Sequence, residues 1–77
     1  MDRVDHDSMT PVYRQLYDSL RKAIDTGEIP PGRPIPSKRV LVQEHGVAPN
    51  TVQRAIEMLQ DDGLLITVPG KGLFVRR

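Results

Sequence analysis

The chain has 77 residues, with 11 lysines and arginines against 10 aspartates and glutamates, and no cysteine. This length suits one small domain and leaves no room for an enclosed catalytic cavity beside the core. Without cysteine the chain has no disulfide framework and no thiolate metal site, which suits a reducing cytoplasm. We see no membrane-spanning apolar run and no signal peptide, so we expect a cytoplasmic location and no membrane partner.

The charges are unevenly distributed along the chain. Residues 33–54 carry four basic side chains and one acidic one, and residues 63–77 carry three basic side chains and no acidic one. Residues 1–32 carry six acidic and four basic side chains, and residues 55–62 carry three acidic ones. The basic excess is therefore confined to two segments, which is typical of a surface that meets an anionic backbone on one side only.

The chain begins with a polar stretch and continues with an amphipathic helix. Residues 1–9 show no apolar period, so we expect a flexible tail there and a folded domain over residues 10–77. Thr10 is the expected N-cap, Pro11 the first helical residue and Gly27 the terminator. The apolar positions recur at spacings of three and four and predict a buried stripe: Tyr13, Leu16, Tyr17, Leu20, Ala23 and Ile24.

Residues 29–36, IPPGRPIP, contain four prolines and predict an extended connection, with a residue or two paired as a small strand. Ser37 is the expected N-cap of a second helix, which Gly46 ends, with Val40 and Leu41 facing inward.

A third helix begins near Pro49, and Gly63 closes it. Its expected core face is Val52, Ala55, Ile56 and Leu59, and its outward face is Asn50, Gln53, Arg54 and Glu57. The outward donors and acceptors match those that base edges and phosphates require.

After Gly63 the pattern changes from helical to strand-like. The segments LLITV and LFVRR are separated by PGKG, which predicts a hairpin with Lys71 at its tip between two glycines. Such a tip suits contact with phosphates or entry into a minor groove. The sequence therefore predicts a mainly α fold with a small β-hairpin: a winged helix-turn-helix of three helices plus a wing.

No arrangement of side chains in the sequence indicates catalysis. We find no nucleophile beside a base, no phosphate-binding loop and no metal-ligand spacing, so we expect neither an enzyme nor a cofactor or metal. His45 is interpreted as a structural histidine, and the pair Asp61 and Asp62 as a helix-end turn.

Five motifs of the sequence carry a family resemblance, where x is any residue: G-E-I-P-P-G, I-P-S-x-R, H-G-V-x-x-N-T-V-x-R-A, L-x-x-x-G-L-L and G-K-G-L-F-V. They occur in the order and spacing of the GntR family of bacterial transcription regulators. Over Pro11 to Val75 the chain resembles the N-terminal winged helix-turn-helix DNA-binding domain of that family.

The resemblance implies roles for individual residues. Arg39 matches a family arginine that reaches DNA, Asn50 and Thr51 match the polar pair that opens the recognition helix, and Gly70 and Lys71 match the wing tip. The family usually has Ser or Thr and then Arg where this chain has Ala48 and Pro49, and an arginine where it has Gln53. Ala48 cannot cap the third helix with a side-chain oxygen, a loss of roughly 1 kcal/mol. We therefore expect a recognition code that differs from the usual one.

The resemblance also implies the function. We expect sequence-specific binding of double-stranded DNA by a bacterial transcription regulator, acting as a repressor and as a homodimer on a two-fold operator, with no effector pocket within this chain. Residues of about 49–62 would lie in the major groove and about 64–76 at the minor groove. The alternatives are a winged helix for protein contacts and the DNA-targeting module of a fused aminotransferase-like regulator. The expected DNA-binding residues are Ser37, Lys38, Arg39, Pro49, Asn50, Thr51, Gln53, Arg54, Gly70, Lys71 and Gly72.

Overall fold

The structure, a computed structural model, describes residues 6–7 and 9–76; the predicted tail over residues 1–9 lies for the most part outside this range. The elements follow in the order α1 (Val12–Asp25), α2 (Lys38–His45), α3 (Pro49–Asp61), β1 (Leu65–Val68) and β2 (Gly72–Val75). The prediction of three helices followed by a β-hairpin wing is confirmed.

Helix α1 buries four of the six residues of the predicted apolar stripe, with Tyr13 and Ile24 half-buried, and it begins one residue later than expected. Pro11, with ψ at 144°, is the N-cap in place of Thr10, and its carbonyl accepts the first helical bonds, from the N–H groups of Arg14 and Gln15. The Thr10 carbonyl instead accepts a hydrogen bond from the Gln15 side chain at 2.8 Å. The helix ends at Asp25, and Gly27 follows with a positive φ, as predicted.

Helix α2 is fixed at both ends by the predicted caps. The Ser37 hydroxyl accepts a hydrogen bond from the Val40 N–H at 3.3 Å, and Gly46 takes the left-handed conformation, with φ at 62°. The inward placement of Leu41 is confirmed, but that of Val40 is wrong, because Val40 is 37% exposed. In a helix of two turns Leu41 and His45 share the buried side, and Val40 lies about 100° away from Leu41 around the axis.

Helix α3 begins at Pro49 and buries the four predicted residues, Val52, Ala55, Ile56 and Leu59. Its N-cap, Ala48, makes no side-chain capping bond, as expected from its methyl group. The helix that carries the polar outward face is therefore held in place by packing rather than by a local cap.

The wing is an antiparallel pair in which Leu65 lies opposite Val75 and Val68 opposite Gly72. The tip is one residue shorter than predicted, because Gly72 is already paired. A backbone bridge between Pro34 and Phe74 adds the proline-rich segment to the other edge of β2, which confirms the predicted small strand.

One core joins all of these elements. Helix α1 packs on α3 over the most extensive helix–helix contact, and α2 and β1 also pack on α3. The largest side chains that are essentially inaccessible to solvent are Leu16, Leu20, Leu41, Val52, Ile56 and Leu59, and the wing adds the buried Leu65 and Val75.

A polar contact at the edge of this core ties α1 to the end of α3. The buried ring of Tyr17 carries a hydroxyl that donates to Asp62 Oδ2, beyond the last residue of α3. Arg21 Nη1 donates to the same hydroxyl at 2.7 Å. This hydrogen bond raises the pKa of the Arg21 guanidinium above its ordinary value.

We expect Tyr17→Phe to lower the free energy of unfolding by about 1 kcal/mol, because it removes one hydrogen bond while keeping the buried ring. Urea unfolding followed by circular dichroism measures the change. Asp62→Asn should also destabilise the domain, whereas Asp61→Asn, which removes the neighbouring carboxylate, should be close to neutral. Equal effects of the two Asn variants would contradict a specific role of the Tyr17–Asp62 bond.

Candidate nucleic-acid interface

The side of α3 opposite the core presents polar side chains to solvent. Asn50, Arg54 and Glu57 are exposed, and Gln53 is half-buried at the edge of the same face. These residues are spaced by three and four, so they form one row along the first two turns and the start of the third. Of the other predicted residues on this helix, Pro49 is exposed and Thr51 is half-buried.

Gln53 is oriented by a neighbour within the row. Its Nε2 donates to Glu57 Oε1 at 3.1 Å, across one turn of the helix. A side-chain amide has two N–H donors and a carbonyl acceptor, so this bond leaves one donor and the acceptor available. In the major groove adenine presents an acceptor, N7, beside a donor, the N6 amino group, so a side-chain amide can bind it with its own donor and acceptor.

Arg54 lies against an aromatic ring from another helix. Its guanidinium carbon is 3.9 Å from the centroid of the Tyr13 ring, well within cation–π range. The sequence pattern placed Tyr13 in the core stripe of α1, but its ring is only half-buried and lies outside the core cluster. The periodicity was misleading here because Tyr13 occupies the first turn of α1, at the margin of the contact with α3.

The start of α2 and the tip of the wing line a common cleft. The cleft has a volume of about 240 Å³. Lys38 and Lys71 both line it, which brings two cations together from distant parts of the chain. The predicted residues Ser37 and Gly72 line it as well. Arg39 is exposed on α2 but is not among the lining residues.

The wing tip is a tight turn. The Lys71 N–H donates to the Val68 carbonyl at 3.0 Å, and Gly70 has φ at 77°. A proline followed by a residue with positive φ is typical of a type II turn, in which glycine is preferred at the second central position. Lys71 and Gly70 are both exposed, so the cation stands at the extremity of the wing.

A hydrogen bond holds the wing against α3. Gln60 Nε2 donates to Thr67 Oγ1 at 3.2 Å, and β1 packs on the same helix. Seven of the eleven predicted residues therefore fall into two groups, three in the row on α3 and four around the cleft between α2 and the wing, and both α2 and β1 pack on α3. The other four lie in neither group: Arg39, Pro49, Thr51 and Gly70. The sequence analysis assigned Tyr13 to the core and did not predict its contact with Arg54, although an aromatic residue at the start of α1 was a signal for such a contact. It did not single out Thr67, which bonds to Gln60.

The described residues contain neither a metal-binding cluster nor a membrane-spanning helix. Among residues 6–7 and 9–76, no three His, Asp or Glu side chains group as they would around a metal ion. Within the same part of the chain, no helix is long and apolar enough to cross a bilayer.

Comparison with known proteins gives consistent matches along the domain. The sequence profile described as "Bacterial regulatory proteins, gntR family" matches residues 12–75. The chain is 34% identical over 74 residues to the HTH-type transcriptional repressor NagR of Bacillus subtilis, which covers 96% of this chain and 30% of NagR. The chain thus spans less than a third of the length of that relative.

Solved structures match the fold closely. YtrA from Sulfolobus acidocaldarius, a GntR-family transcription factor, superposes with a TM-score of 0.90 at 33% identity, over 99% of this chain and 65% of that one. The DNA-binding domain of AraR in complex with operator ORE1 superposes with a TM-score of 0.83 at 35% identity, over 97% of this chain and 92% of that one. With its three helices, its wing and a profile match over nearly all of its length, the chain belongs to the gntR family of bacterial regulatory proteins.

Proposed function

We propose that the chain is the operator-binding domain of a bacterial transcription regulator and binds specific sequences of double-stranded DNA. The observation that carries the proposal is the exposed row on α3, where amide and guanidinium groups stand together on the side that the core leaves open. A helix with such a row fits the width of the major groove. The similarity to the AraR domain, solved in complex with an operator, supports this reading.

The two groups of residues would divide the work of recognition. Asn50, Gln53 and Arg54 would contact base edges, while Lys38 and Lys71, which line the cleft, would neutralise phosphates. Arg39 would reach the DNA from α2, and the exposed turn at Gly70 would lie at the minor groove. The remaining residues of the proposed site are Ser37, Pro49, Thr51 and Gly72.

Repression is the mode of regulation that we propose, because the relative NagR is named a repressor. Two copies of the domain on a two-fold operator would place two α3 helices in successive major grooves. The fold also argues for binding rather than catalysis, since its exposed polar groups line an open surface. We also propose that residues 10–77 form the folded DNA-binding domain and that the protein is cytoplasmic.

Selection of duplexes from a random-sequence pool, followed by the mass of the complex, tests the proposal directly. We expect a two-fold consensus and a complex with two protein chains per duplex. The logarithm of the affinity for the selected duplex should fall linearly with the logarithm of salt concentration, with a slope of about −0.9 per neutralised phosphate. A flat salt response, or a pool without enrichment, would favour a protein-contact role for the winged helix.

Single substitutions should separate base contacts from phosphate contacts. We expect Arg39→Ala and Arg54→Ala each to cost about 1 to 3 kcal/mol of binding free energy, with relaxed specificity where the side chain contacts a base. Lys71→Ala should weaken all duplexes alike and reduce the salt slope by about 1. Lys22→Ala, which removes an exposed charge from α1, is the matched control. Equal affinities for all four variants would refute the proposed site.

The glutamine at position 53 should set a base preference of its own. With one amide N–H and the carbonyl left free by Glu57, Gln53 should select adenine at one base pair of each half-site. Gln53→Arg should move that preference toward guanine, because arginine pairs with the two acceptors of that base. Parallel selections with the two proteins measure the change. The same base at that position for both proteins would contradict the assignment.

A further inference from the structure

Tyr13 and Arg54 make a contact that the core does not require. Tyr13 is the second residue of α1, and Arg54 lies in the second turn of α3, so only the packing of α1 on α3 brings them together. The guanidinium carbon is 3.9 Å from the ring centroid, and Arg54 as a residue remains exposed. The ring therefore covers part of a cation that the solvent still reaches.

This contact differs in kind from the ion pairs elsewhere on α1. Arg14, for example, also lies near a ring, 5.1 Å from the Tyr17 centroid, but its Nε is 3.3 Å from Asp18 Oδ1, and that carboxylate offsets its charge. Among the described residues, Arg54 forms no such ion pair. An aromatic ring against a guanidinium leaves the full positive charge, and it leaves the N–H groups at the edge of the plane free to donate. Arg54 is thus restrained without being neutralised.

We propose that Tyr13 is a positioning residue, which holds the Arg54 guanidinium ready to donate to a pair of acceptor atoms on DNA. The proposal rests on the DNA-binding function proposed above. The acceptors share one chemistry, a pair of adjacent hydrogen-bond acceptors that fits the two donors of a guanidinium. Guanine presents such a pair in O6 and N7, and a phosphate presents it in two oxygens. Tyr13 acts through Arg54, since a restrained arginine loses less conformational freedom when it binds than a mobile one does.

A double-mutant cycle on the duplex selected by the wild-type chain tests the proposal. We expect Tyr13→Leu to weaken binding about 2- to 10-fold, the range for one side chain that must be ordered on binding. Tyr13→Phe keeps the ring and should keep most of the affinity. In an Arg54→Ala background, Tyr13→Leu should have no further effect. If the loss of affinity depends on the identity of one base pair, the acceptors belong to a base. If the affinity for all duplexes falls by the same factor, the acceptors belong to a phosphate.

A second measurement needs no DNA. The ring current of Tyr13 should shift the NMR signals of the Arg54 Cδ protons upfield in the free protein. We expect this shift to persist in Tyr13→Phe and to vanish in Tyr13→Leu. Urea unfolding of each variant shows whether the domain remains folded. Asp18→Asn, on the outer face of α1, serves as a control that should leave both the NMR signals of Arg54 and the affinity unchanged.

Several results would overturn the inference, and each is distinguishable from failure of the proposed function. An unchanged affinity in Tyr13→Leu, or a gain, would show that the ring does not prepare Arg54 for DNA. A loss that persists in the Arg54→Ala background would mean that Tyr13 contacts DNA itself or acts through stability. Absence of the upfield shift would refute the stack. If the wild-type chain enriches no duplex, the proposed function fails, and the positioning role fails with it.

Discussion

The apolar contact between α1 and α3 is the constraint on which the rest of the molecule depends. Leu16 and Leu20 of α1 are fully buried together with Val52 and Leu59 of α3, in a core that also includes Leu41 and the first residue of β1. Burying side chains of this size supplies about 1.5 to 3 kcal/mol each, more than any polar contact at the surface of so small a domain. Once one side of α3 is committed to this contact, the opposite side must face solvent.

The same contact determines the surroundings of the exposed row. Tyr13 and Tyr17 lie one turn apart on α1 and reach α3 at different points: Tyr13 touches Arg54 in the second turn, and Tyr17 bonds to Asp62 past the last turn. Helix α1 therefore contacts α3 near the middle of that helix and again just past its C-terminal end. At the start of α3, Ala48 supplies no capping oxygen and Pro49 only presets the backbone dihedral, so this end of the helix depends on packing.

The sequence was sufficient to predict features that depend on local chemistry. Ser37 caps its helix and Gly46 ends it because a hydroxyl and a missing Cβ act within a few residues of chain. The two tyrosines show where such reasoning ends. Tyr13 and Tyr17 belong to the same apolar stripe of α1, yet Tyr17 is buried and hydrogen-bonded to Asp62, whereas Tyr13 is half-buried against the Arg54 guanidinium. Their partners lie more than forty residues away in the sequence, so local periodicity could not distinguish the two environments. Val40 was misplaced because three adjacent apolar residues in a two-turn helix define no unique buried side.

The neighbouring residues Gln53 and Arg54 show how such restraints would bear on the DNA specificity proposed for α3. Glu57 holds the amide of Gln53, and Tyr13 holds the guanidinium of Arg54, so each polar group is oriented by a partner within the domain. The two partners differ in charge. A carboxylate beside Gln53 repels phosphate and leaves that position suited to a neutral base edge, whereas a neutral ring beside Arg54 leaves its attraction for anions or guanine intact. With a neutral amide where the family usually has an arginine, recognition by this helix would depend on how rigidly two adjacent side chains are held, more than on the number of charges that it presents.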